Sequence, residues 1–156
     1  MTRGTKRFSL IVAVAAIGGF AYWLTAPTFH GYADFIARSK LLAGASAINC
    51  GRATESDDPS RVILCSESAL RERRALFAVV DHIGIDSKVA SAVVSDGAGV
   101  VHKISYDSSP CGRIFPTRSC PARLETQVCK SVSYGVKKVA STEPAWAIRI
   151  VCAERP

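Results

Sequence analysis

Hydrophobic and polar positions change period repeatedly along this chain, and each change marks a predicted element. Residues 8 to 26, FSLIVAVAAIGGFAYWLTA, carry no charge, and Arg3, Lys6 and Arg7 precede them without an acid. An apolar run of nineteen positions is close to the roughly 20 residues a spanning helix needs. Basic residues on one flank predict an N-terminus in the cytoplasm, with Tyr22 and Trp23 at the far interface. The reading is an uncleaved signal-anchor over residues 1–27; cleavage near Ala21 or Ala33 is the alternative and gives a secreted chain. After Pro27, the residues Tyr32, Phe35, Ile36, Leu42 and Ala43 recur at helical spacing, which predicts a helical stem over 28–49, ended by Gly44 and Asn49-Cys50-Gly51.

A second helix is announced by DDPS, with Asp57 or Asp58 as cap and Pro59 in the first turn. Its apolar face is Val62, Ile63, Cys65, Ala69 and Leu70. Arg71, Arg73 and Arg74 crowd its last turn, where cations meet the negative end of the helix dipole. From residue 75 the period falls to two. ALFAVVDHI predicts a strand, and residues 88–107 predict a hairpin through Asp96-Gly97-Ala98-Gly99, with Val100, His102, Ile104 and Tyr106 on one face. RLETQVCKSVSYG and AWAIRIVCAE predict a second pair, with VKKVASTEP as its loop and Val128, Val132 and Tyr134 sharing a face. The expected fold is α+β: an N-terminal anchor and stem, then one core helix on an antiparallel sheet of about four or five strands, within a domain over 50–156.

Six cysteines, Cys50, Cys65, Cys111, Cys120, Cys129 and Cys152, all follow the apolar run. An even number on the exported side points to disulfides in an oxidising compartment. Six cysteines allow 15 connectivities, of which Cys50–Cys65, Cys111–Cys120 and Cys129–Cys152 is the one expected. Neither CxxC pairs nor histidines at ligand spacing support a metal, and no cofactor is expected. The formal charge of +7 is uneven: residues 28–105 hold nine bases and nine acids, residues 106–156 eight bases and four acids. That surplus suits an acidic envelope polymer or an envelope protein as partner, besides the membrane itself at residues 8–26; no nucleic acid is expected.

Candidate chemistry is sparse. His82 and His102 lie on predicted strands near Asp86 and Asp107 and are the pair a small envelope hydrolase would use if they meet across strands. There is no nucleophile elbow, phosphate-binding glycine loop or zinc-protease motif. The segment SPCGRIFPTRSCP offers a stapled loop in which Arg113, Phe115 and Arg118 are of the types that anchor interfaces.

KRFSLIVAVAAIG followed by PTFHGYADFIARSK, from Lys6 to Lys40, resembles the N-terminal helix of type IV pilins and minor pilins. These begin with a basic leader, Phe and a hydrophobic stalk, and carry a disulfide-bearing β-sheet head. The resemblance implies a fibre subunit. The chain departs from it at Arg7, where the family's leader ends in glycine, and at Val12, where the family has an assembly-guiding glutamate. NCGR, GIDSKVA and YDSSPCG resemble small exported bacterial proteins of unknown role, which implies an envelope location and disulfides and no activity. The leading expectation is thus a membrane-tethered, disulfide-braced binding or structural module, not an enzyme, with a divergent pilin-like subunit and an envelope hydrolase as alternatives.

Overall fold

A computed structural model describes residues 31–84, 86–112, 120–139 and 145–154. These form two helices and one six-stranded sheet: α1 (Tyr32–Ala43), β1 (Ile48–Ala53), α2 (Ser60–Arg71), β2 (Ala75–His82), β3 (Val89–Asp96), β4 (Val101–Asp107), β5 (Arg123–Val139) and β6 (Ala145–Glu154). The sheet order is β1-β2-β3-β4-β5-β6. The class is α+β, as the periodicity predicts, but the sheet has six strands rather than four or five. The anchor over residues 8–26 and the loop residues Arg113, Phe115 and Arg118 lie outside the described residues. No helix among the described residues is long and apolar enough to cross a membrane.

The sixth strand is β1, and it is parallel to β2, so the sheet is mixed rather than antiparallel. Parallel neighbours need a crossover, and α2 supplies it. INCGRA reads as a helix terminator because it lacks alternation. It is held extended by β2, with a break in register between Asn49 and Gly51. Gly51 sits at φ 91, a conformation glycine alone adopts freely. The 28–49/50–156 boundary therefore falls inside a strand.

The stem also reads differently in three dimensions. α1 lies on the sheet, where Phe35 is fully buried with Val79, Ala92, Val94 and Ile104. Its outer flank is closed by Tyr106, whose ring stacks on Phe35 at 5.8 Å. Small residues at Ala90 and Ala92 leave a shallow seat for the helix. The opposite face holds α2, through Val62 and Ala69 against Leu76, Ala78, Val80 and Val93. β3 is consequently buried on both sides along most of its length.

α2 starts at Ser60 with Pro59 as N-cap. Asp58 accepts from the Ser60 N–H at 2.9 Å, while Asp57 serves the preceding turn by accepting from Thr54. Those hydrogen bonds hold both carboxyls below the ordinary carboxylate range. β5 runs on through Val139, so the expected VKKV loop is strand, and it pairs with β6 along its second half. That long hairpin curls over the α2 face: Ile148 and Ile150 join the cluster of Leu76 and Val80, and the Trp146 N–H donates to the Glu55 carbonyl at 2.7 Å.

All six cysteines are bonded, Cys50 to Cys65, Cys111 to Cys120 and Cys129 to Cys152. The first ties β1 to α2 and the third ties β5 to β6. Beside the third lies a β-bulge, where the β5–β6 register shifts between Cys129 and Ser131. One extra residue flips every side chain beyond it. Val132 and Tyr134 therefore pack on the α2 face, while Val128 opposes His102 and stands 44% exposed. The shared face predicted for the three does not form.

Candidate functional site

The two histidines are kept apart by strand parity. On β2 the even positions Leu76, Ala78 and Val80 face α2, which puts His82 on that side. On β4 the even positions Ile104 and Tyr106 face α1, which puts His102 there. The meeting of His82 with His102 across strands does not occur. Asp107 is taken up by the following turn, where it accepts from the Ser109 N–H at 2.9 Å.

His82 Nε2 lies 2.8 Å from Ser91 Oγ on β3, and the ring also hydrogen-bonds the Ile148 backbone on the curled β6. Burial pushes the imidazole below its ordinary pKa; the Ile148 bond opposes this, and the Lys103 charge adds to it. A neutral imidazole within reach of a hydroxyl is the arrangement of a general base and nucleophile. Two features limit it here. Ser91 is only 5% exposed, and the group orienting the imidazole is main chain rather than a carboxylate. The bond works first as a tie between β2, β3 and β6. His102 has His-to-valine neighbours, Val94 and Val128, on the adjacent strands. Its Nδ1 is buried with no hydrogen-bond partner among the described residues.

A cluster with no signal in the sequence clamps the start of α1. The Tyr32 hydroxyl donates to Asp81 Oδ1 at 3.1 Å, and Asp81 Oδ2 accepts from Arg52 Nε at 3.0 Å and pairs with the Arg52 guanidinium. Lys88 Nζ lies 3.9 Å from the Tyr32 ring centroid and the Arg52 guanidinium carbon 5.2 Å. Burial and the Asp81 charge push the Tyr32 phenol up to about 12, against the Arg52 charge. The four residues come from α1, β1, β2 and the turn before β3, so only the folded sheet assembles them.

No family model, curated protein or solved structure matches this chain. A groove of about 620 Å³ runs between α1 and β5, lined by Asp34, Ala37, Arg38, Leu41, Leu124 and Thr126. A cleft of about 350 Å³ opens where the end of α2 meets β5. Among the described residues no three His, Cys, Asp or Glu side chains gather to hold a metal.

Proposed function

We propose that the chain is a membrane-tethered cell-envelope protein whose disulfide-braced domain serves as a binding or structural module outside the cytoplasm. The observation that carries this reading is the pairing of every cysteine, which leaves no free thiol in the fold. Such complete oxidation belongs to an oxidising compartment, and the apolar run at residues 8–26 supplies the tether. The basic surplus after residue 106 favours an acidic envelope polymer or protein as partner. The test is the mass of the protein taken from cells, alkylated before and after reduction. The expected species is full-length, membrane-bound, and gains six labels only after reduction. Free thiols in a cytoplasmic fraction would end the reading. A mature terminus at Phe8 would instead favour the pilin-like alternative.

A second reading, a small envelope hydrolase, has the 2.8 Å His82–Ser91 contact in its favour. Ser91→Ala and His82→Ala would each abolish hydrolysis of a chromogenic ester; unchanged turnover in either variant removes it.

A further inference from the structure

Two irregular backbone positions, far apart in sequence, bring cations to one cleft. α2 ends in a Schellman turn, with the Arg73 N–H donating to the Leu70 carbonyl at 3.2 Å and the Arg74 N–H to the Ala69 carbonyl at 2.8 Å. The seat normally taken by glycine in this turn is held by Arg73 at φ 53. On β5, Lys130 is the extra residue of the bulge between Cys129 and Ser131 and has no cross-strand partner on β6. Arg73 and Lys130 line the same cleft of about 350 Å³, together with Arg71. Leu70, Val101 and Val132 form its apolar wall, and among the described residues no carboxylate lines it.

The cations outnumber the acids there: Glu72 pairs at 3.2 Å with Arg74, which does not line the cleft, and acts on Arg71 only through its charge at a distance. Arg71, Arg73 and Lys130 form no ion pair with a described carboxylate. The helix dipole accounts for cations at the end of α2. It does not account for an arginine in a left-handed seat, nor for a lysine delivered by a bulge on another element. Three exposed cations lining one apolar-walled cleft favour an anion there, and guanidinium forks match tetrahedral oxyanions in geometry.

We propose that this cleft binds a phosphate group, with Arg71, Arg73 and Lys130 on its oxygens and the apolar wall receiving the body of the molecule that carries it. The volume lies at the small end of ligand pockets, which suits a phosphate monoester, free or as a lipid headgroup. The inference deepens the binding-module reading by naming the ligand class, and it does not depend on where the protein resides.

The full chain with disulfides intact, held in neutral detergent at low ionic strength, is titrated with inorganic phosphate, glycerol phosphate and a short-chain phosphatidic acid below its micellar concentration. Amide shifts of Gly99 and Ser131 report the cleft. Arg73→Gly retains the left-handed turn without the cation, so loss of binding in it is not loss of fold. It and Lys130→Gln each weaken binding about tenfold or more, while Lys137→Gln, elsewhere on β5, leaves it within twofold. Tighter binding of the acyl compound than of glycerol phosphate assigns the lipid source; equal binding assigns a free ester. Both support the site. Cleft amides that move with none of the three probes overturn it, as does equal weakening by Lys137→Gln. Either failure, with the disulfides intact, would leave the extracytoplasmic reading standing.

Discussion

Tyr134 and Ser66 join the sheet to α2 through a hydroxyl–hydroxyl hydrogen bond of 2.8 Å. The Ser66 hydroxyl also has the Val62 carbonyl as an acceptor at 2.8 Å, so either hydroxyl can donate between the pair. Burial pushes the Tyr134 phenol from 10.0 up to about 12; the Ser66 bond opposes this and the nearby Glu67 charge adds to it. A folded pKa above the unfolded one gives stability that is complete below pH 10 and is lost as pH rises through 12. Two pKa units correspond to about 2.7 kcal/mol at the limit and about 2 kcal/mol by pH 12. Tyr134→Phe removes the titrating group but leaves Ser66 bonded to its carbonyl, so it costs only about 1 kcal/mol at neutral pH. The two stability curves must therefore cross above pH 10, with the variant ahead by about 1 kcal/mol near pH 12. Urea midpoints followed by circular dichroism at steps from about pH 8 to about pH 12 measure this. With no free thiol present, alkaline disulfide exchange lacks its initiating thiolate. Tyr32, also raised to about 12, contributes to both curves alike. Parallel curves with no crossing would refute the account.

Three further expectations concern separate parts of the fold. Cys50→Ala with Cys65→Ala opens a loop of sequence separation 15 and lowers unfolding free energy by about 3 kcal/mol, read from urea titration; a loss under about 1 kcal/mol would mean that packing alone holds β1 to α2. His82, whose pKa is depressed by burial, contributes stability that is complete above the ordinary histidine range and declines as pH falls through it, since the unfolded chain then binds the extra proton. The midpoint of His82→Asn should be flatter over that window, and an unchanged slope would exclude His82 as the source. Phe35→Ala empties a fully buried site and costs roughly 3–5 kcal/mol; a negligible shift in midpoint would return α1 to the role of a stem outside the core.

β2, β3 and β4 were legible because their alternation is regular and the turn chemistry between β3 and β4 is explicit. Gly97 and Gly99 take φ 78 and 93, and Asp96 Oδ1 accepts from the Ala98 and Val100 N–H groups. The disulfide chemistry of the cysteines was legible from their number and their position after the apolar run. β1 was hidden because a strand whose partner is parallel and separated by a helix leaves no local alternation to read. The place of α1 was hidden for a different reason. A stripe of Tyr32, Phe35, Ile36 and Leu42 fits a stem on a partner or a helix on its own sheet equally well, and what decides is the small-residue seat at Ala90 and Ala92, some fifty residues away. The candidate cleft shows the limit most sharply. Arg71, Arg73 and Arg74 stand together in the sequence and invite one explanation, the helix end. The structure pairs Arg74 with Glu72 and sets Arg71 and Arg73 along one cleft with a lysine that a single inserted residue in β5 supplies. A bulge changes neither composition nor period enough to be seen in one sequence. Positions where local rules are broken without a local reason are where a fold most often carries something beyond its own stability. In this chain the left-handed arginine and the bulged lysine are two such positions, and they face the same space.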